Sequence, residues 1–148
     1  MRKLSAFTLL LFLVNLNLLF PGGYSPDAAT GVWLTEEKEA KVKIYEKDGK
    51  YYGKIIWLKE PLNAQGEPKK DKENPDEDKR DRKVIGLVIL KHFVYDEDGE
   101  YTDGEVYDPK RGRTVDGELT MHGNDKLEVR GYLGLSFIGK SVYWTRVE

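Results

Sequence analysis

The chain has 148 residues, of which 39% are apolar, 34% charged and 11% aromatic, and its formal net charge is -2. This length suits one domain with a sizeable core, and the aromatic content argues against general disorder. The charge balance lacks the basic footprint of a nucleic-acid-binding protein, so we expect no nucleic-acid partner. The absence of cysteine excludes disulfides, thiolate metal sites and cysteine catalysis.

The N-terminus has the order of a secretory signal peptide. Arg2 and Lys3 precede an apolar run over residues 6–20, and PGGYSPDAAT then brings breakers and small residues. The run is shorter than the roughly 20 apolar residues of a membrane helix and contains Asn15 and Asn17. We predict a signal over residues 1–25, with an undefined cleavage point, and export to the periplasm or the extracellular space. An uncleaved anchor is the alternative.

Residues 26–148 are predicted to form one domain without a stable membrane span, in which short β-rich segments alternate with turns. The first three segments are GVWL, AKVKIYE and KYYGKIIWL, and Asp48-Gly49 indicates a hairpin between the last two. The fourth runs from Val84 to Tyr95 and is apolar on both faces. It contains Gly86, where a bulge or a close backbone approach is expected. The remaining segments are YTDGEVYDP, RTVDGELTM, KLEVRGYLG and SFIGKSVYWTRV.

Eight consecutive strands joined by tight turns predict an all-β fold, an antiparallel up-and-down barrel of about eight strands. A sandwich of two sheets is the competing architecture. We expect little helix beyond a short turn near Asn74. An eight-stranded barrel either holds one small ligand or is filled by side chains. The side chains expected to line this interior are Trp57, Ile89, Tyr107, Tyr132 and Phe137.

Four stretches carry a family resemblance: DKENPDEDKRDRKVIGLVIL, DGEVYDPKRGRTV, KLEVRGYLG and the terminal YWTR. With them, the chain resembles the bacterial Domain of Unknown Function 2147 family, whose members are small exported proteins expected to form lipocalin-like barrels. A looser resemblance to lipocalins matches Gly31, Trp33 and Arg146 to the residues that meet where the first and last strands close the barrel. This resemblance implies a structural role for the three residues.

The segment 71–83 contains six acidic and five basic residues directly before an apolar strand. In a functional interpretation, Asp71, Asn74 and Asp76 converge on a cation or a polar ligand, while Arg80 and Arg82 clamp an anionic group. In the alternative, the same charges pair with one another and with turn amides, and this alternative is favoured because balanced charge offers no net field.

Other chemistry finds no motif in the sequence. The acidic turn around Asp98 lacks the ligand order of an EF-hand, and two histidines without thiols make a zinc site improbable. Ser136 and Ser141 have no nucleophile motif around them. We therefore expect no metal, no cofactor and no enzymatic activity.

The predicted function is the binding of a small amphipathic or lipid-like ligand at the barrel mouth, by a monomer or weak dimer. The predicted ligand-binding residues are Asp71, Asn74, Arg80, Arg82, Trp57, Tyr107 and Tyr132. The alternative function is a cell-envelope interaction or scaffold module without a small ligand.

Overall fold

A computed structural model describes residues 23–132 and 139–148. The signal prediction for residues 1–25 thus falls almost entirely outside the described residues, as do Phe137 and Ser136. In the described part, eight antiparallel strands follow one another around a closed barrel. They are β1 Gly31–Leu34, β2 Ala40–Lys47, β3 Lys50–Leu58, β4 Val88–Tyr95, β5 Glu100–Asp108, β6 Arg113–His122, β7 Lys126–Tyr132 and β8 Gly139–Arg146.

The predicted up-and-down barrel is confirmed, since β1 pairs with β8 and every other strand pairs with its neighbours in sequence. Helix is limited, among the described residues, to one 3-10 turn over Glu77–Lys79. No helix in this part of the chain combines the length and the hydropathy needed to cross a bilayer.

β4 begins four residues later than predicted. Gly86 has a φ of +99°, a conformation that ends the connection 59–87 rather than extending a strand. Its N–H donates to the Ile55 carbonyl at 2.6 Å, and the Ile55 N–H donates to the Leu87 carbonyl at 3.0 Å. The close backbone approach expected at Gly86 is present, but it lies before the strand.

A β-bulge in β3 corrects the predicted interior position of Trp57. Val42 pairs with Ile55 whereas Lys41 pairs with Trp57, so Ile56 is an extra residue on β3. Because side chains alternate along a strand, the extra residue moves Trp57 from the inner face to the outer one. Trp57 is 38% exposed there, with the Lys41 Nζ atom 5.2 Å from its ring centroid.

The core fills the middle of the barrel. Phe93 is fully buried, and a Cβ atom at Gly104 would lie closer than van der Waals distance to the Phe93 ring. The ring therefore needs a glycine opposite it. Other buried side chains around it include Trp33, Ile44, Leu90, Tyr101, Leu119, Leu127 and Trp144.

The two ends of the barrel differ. The closed end carries the turns at 48–49, 96–99 and 123–125 together with the N-terminal segment 23–30. The loop end carries the connections 35–39, 59–87 and 109–112. The chain between β7 and β8 lies outside the described residues.

Candidate functional site

Arg146 and Trp33 meet at the closed end. β1 and β8 pair Trp33 with Arg146, and the guanidinium carbon lies 4.3 Å from the indole centroid. The Arg146 guanidinium also donates to the carbonyls of Ala28, Thr30 (2.7 Å) and Asn124 (2.6 Å). A Cβ atom at Gly31 would lie 2.5 Å from the Arg146 Nη1 atom, so glycine is required there. The contacts of this cluster connect β1 and β8 with the segment 23–30 and the turn 123–125, so its role is structural.

Three tyrosine hydroxyls attach the N-terminal segment to the closed end. Tyr95 donates to the Tyr24 carbonyl at 2.6 Å, Tyr101 to the Pro26 carbonyl at 2.6 Å, and Tyr51 to an Asp27 carboxylate oxygen at 2.9 Å. Burial raises the pKa of Tyr101 to about 12. The closed end is therefore covered by chain that directly precedes β1.

Asp71 is the centre of the predicted binding loop. Its side chain is fully buried and accepts from the Tyr107 hydroxyl at 2.6 Å, from Asn74 Nδ2 at 2.8 Å and from Arg82 Nη2 at 3.2 Å. Burial, and then the bond to Asp71, raise the pKa of Tyr107 to about 12. The carboxylate has three protein donors within the loop and its neighbour β5.

The rest of the loop pairs with itself in the same way. Asn74 Oδ1 accepts from the Asp76 N–H at 2.9 Å, and the Asn74 carbonyl accepts from Arg80 Nε at 2.8 Å. Asp76 accepts from the Asp78 N–H and so caps the 3-10 turn. Every buried side-chain nitrogen and oxygen of the described residues has a partner. This is the self-paired arrangement that the sequence left open.

Tyr107 and Ile89 lie on the outer face of the barrel, where the Tyr107 hydroxyl contacts this loop. Leu90 pairs with Val106 across β4 and β5, and both face the interior, so alternation puts Ile89 and Tyr107 on the outer face. Both are nevertheless less than 10% exposed. The apolar character of both faces of β4 thus reflects a strand that is covered by the barrel core on one side and by the connection 59–87 on the other. Their predicted interior positions are corrected accordingly.

Tyr132 is also on the outer face. Its hydroxyl donates to Glu118 at 2.7 Å, a bond that raises the pKa of Tyr132, and the Arg130 guanidinium lies 5.3 Å from its ring. The structure therefore brings together Asp71, Asn74, Arg80, Arg82 and Tyr107. Trp57 and Tyr132 make no hydrogen bond with this cluster, and their predicted places in the interior are wrong.

At the loop end, valines line the inner face of the barrel and charged residues occupy the inward positions at the strand ends. Val106, Val115 and Val142 are on the inner face of β5, β6 and β8, yet each is only partly buried. By the same alternation, Arg113 and Lys140 are inward positions at the strand ends beside them, and both are exposed. Neither cation forms an ion pair with a described residue. At this end an apolar wall therefore meets a rim that carries Arg113, Lys140 and, opposite Arg113, Asp108, which is ion-paired with Arg111.

Sequence reasoning missed Arg113 and Lys140, although the signal was present. In RTVDGELTM, Arg113 has the same parity as Val115, and in GKSVYW, Lys140 has the same parity as Val142 and Trp144. The dense charges of the 71–83 segment are the stronger local signal.

Ser141, Glu128 and His122 form a polar cluster on the outer face. Ser141 Oγ donates to one Glu128 oxygen at 2.6 Å, and His122 Nε2 lies 2.8 Å from the other. The bond from Ser141, followed by that from His122, lowers the pKa of Glu128. Because the carboxylate stands between hydroxyl and imidazole, this order differs from a hydrolytic triad, in which the imidazole contacts the nucleophile. Among the described residues, no group of three or more histidine or acidic side chains is arranged to hold a metal ion.

The chain is similar to a bacterial protein family and to a solved structure of a lipocalin-family protein. The model of DUF2147, a family described as an uncharacterized protein conserved in bacteria, matches residues 31–146. A similar solved structure is protein HP1028 from the human pathogen Helicobacter pylori, described as belonging to the lipocalin family. It is 28% identical, with a TM-score of 0.71, and the match covers 80% of this chain and 82% of that one. No curated protein matches the chain.

Proposed function

The chain belongs to the DUF2147 family, and from the geometry of its barrel we propose that it binds a small amphipathic molecule at the loop end. The observation that carries the proposal is the partly exposed inner wall of Val106, Val115 and Val142. Beside it lie two cations, Arg113 and Lys140, which form no ion pair with a described residue. Eight-stranded barrels of the lipocalin type have room for one small ligand, and barrel mouths are recurrent binding sites.

The proposed ligand has an apolar tail and an anionic head. The tail contacts the three valines, where its burial removes apolar surface from water. The head, a carboxylate or a phosphate, lies between Arg113 and Lys140, because charge-assisted hydrogen bonds to such groups are the strong ones. The proposal gives Arg80 and Arg82 no direct part, because each already has a partner within the loop: Asn74 and Glu77 for Arg80, and Asp71 for Arg82.

Binding of a long-chain fatty acid tests this proposal. Monomeric palmitate, kept below its critical micelle concentration, should raise the melting temperature of the protein in a dose-dependent way. Arg113→Gln together with Lys140→Gln should weaken palmitate binding about tenfold or more. The matched control is Lys72→Gln with Lys126→Gln, which removes the same charge away from the rim. Equal binding by both variants, or no stabilisation of any variant by palmitate, would contradict the proposal.

The proposal includes export of the protein. The order of basic, apolar and small residues before residue 26 supports a cleaved signal, and mass measurement of the protein recovered from the producing cell checks it. We assign the protein a monomeric or weakly dimeric state, which sedimentation at several concentrations tests.

A further inference from the structure

The outer face of β2 and β3 carries a concentration of lysine that the ligand site does not use. In this two-stranded ladder the outward positions are Lys41 opposite Trp57, Lys43 opposite Lys54, Tyr45 opposite Tyr52, and Lys47 opposite Lys50. We name these eight residues the lysine face. It contains five lysines and no acidic residue, in a chain whose net charge is -2.

The cross-strand pairing is unfavourable for the protein alone. Lys43 lies directly opposite Lys54, and Lys47 lies directly opposite Lys50, and like charges in such pairs destabilise a sheet. None of the five lysines forms an ion pair with a described residue. The repulsion is therefore not relieved inside the barrel, and an anionic partner would relieve it.

The opposite side of the barrel has the opposite charge. In a closed ring of eight strands β2 faces β6 across the axis. On the outer side of β5 and β6, Glu105 lies opposite Asp116, and Glu118 lies one outward position further along β6. The barrel thus has a basic side and an acidic side, an arrangement that orients it against an extended anionic surface.

The aromatic residues of the lysine face indicate which anionic surface fits. Trp57 and its neighbour Ile56 are 38% and 37% exposed, and tryptophan and tyrosine beside lysine are typical of the headgroup region of a bilayer. The tyrosine rings already contact neighbours: Tyr45 stacks on Tyr52 at 5.9 Å, Lys54 covers Tyr45, and His92 meets Tyr52 edge-on. Rings occupied in this way are poorly suited to stacking nucleic-acid bases.

We propose that the lysine face docks the barrel on an anionic phospholipid bilayer, with the lysines among the headgroups and Trp57 at the interface. Attraction of juxtamembrane lysines to anionic lipid corresponds to about a fivefold gain in partitioning for each lysine near the surface. This docking is independent of the proposed ligand, because the rim at Arg113 and Lys140 is a different surface.

Vesicle sedimentation tests the docking with the chain that starts at Gly23, which contains every described strand. The protein should pellet with phosphatidylcholine vesicles that contain 30 mol% phosphatidylglycerol, and not with pure phosphatidylcholine vesicles. Raising the salt concentration to 0.5 M should release it, because exposed charges are screened. Binding should also shift the fluorescence of Trp57 to the blue, since Trp33 and Trp144 are buried, and Trp57→Phe should abolish the shift.

The variant Lys43→Thr with Lys54→Thr should reduce partitioning by about twentyfold or more, while its stability to urea stays equal or rises because the repelling pair is gone. The control Lys72→Thr with Lys126→Thr removes the same charge elsewhere and should bind as the wild type does. Unchanged binding by the first variant would overturn the proposal. Equal binding to neutral vesicles, tighter binding to a single-stranded oligonucleotide, or self-association through the two charged sides without lipid would each overturn it as well.

Discussion

The closed end and the loop end of this barrel handle polar groups in opposite ways. At the closed end, tyrosine hydroxyls and the Arg146 guanidinium contact backbone carbonyls of the segment that precedes β1. At the loop end, Arg113 and Lys140 stand unpaired among described residues beside partly exposed valines. Polar groups of the closed end are thus engaged by the backbone. At the loop end, the 71–83 segment pairs with itself around Asp71, whereas the two inward cations at the strand ends have no described ionic partner.

The largest expected effect is at the closed end. Trp33→Ala removes a fully buried indole and the surface on which Arg146 stacks, so it should lower the free energy of unfolding by about 3–5 kcal/mol. Urea denaturation measures the loss. The control Trp57→Ala removes the same side chain from an exposed site and should cost less than about 1 kcal/mol. Similar losses for the two variants would contradict the assigned positions.

Asp71→Ala separates the charged loop from the ligand site. It leaves the Tyr107 hydroxyl and the Asn74 amide without their buried acceptor, and we expect a loss of about 2–3 kcal/mol. Palmitate binding should stay within about twofold of the wild type, because the inner rim is intact. Asp81→Ala is the control: its carboxylate is exposed and 3.9 Å from Lys70, and such pairs are worth about 0.5 kcal/mol. A large loss of palmitate binding in Asp71→Ala, but not in Asp81→Ala, would show that the 71–83 segment takes part in ligand binding.

A shorter N-terminus tests how far the closed end extends. A chain that starts at Pro26 lacks Tyr24, whose carbonyl accepts from Tyr95 and whose hydroxyl accepts from the Gly123 N–H at 2.6 Å. Compared with a chain that starts at Gly23, it should be less stable by about 1–2 kcal/mol. Equal melting temperatures would show that the stable domain begins at residue 26, as the sequence boundary predicts.

Features of the fold that depend on local signals could be predicted from the sequence, whereas features that depend on distant contacts could not. Alternation and turn residues identified all eight strands, because both are local signals, and β1 and β3 have the predicted bounds. The interior side chains were less accessible. One extra residue, Ile56, reverses the face of Trp57, and a bulge depends on pairing with a distant strand. The covered outer face at Tyr107 depends on where the connection 59–87 folds back, which no local pattern encodes.

Alkaline pH gives the smallest expected effect and distinguishes the closed end from exposed surface. Burial raises the pKa of Tyr101 to about 12, against about 10 in an unfolded chain. The folded state therefore holds this proton more tightly, and the resulting stability is fully present below pH 10 and lost as the pH rises through 12. Near pH 11 the loss from this residue should be about 1 kcal/mol.

Tyr101→Phe lowers stability at neutral pH, because the bonds to Pro26 and Ala29 disappear, but its stability should fall less steeply between pH 10 and 12. The 39% exposed Tyr143 provides the control, Tyr143→Phe, whose pH profile should follow the wild type. Parallel profiles for Tyr101→Phe and the wild type would mean that solvent reaches the Tyr101 hydroxyl, and that the segment 23–30 does not seal the closed end.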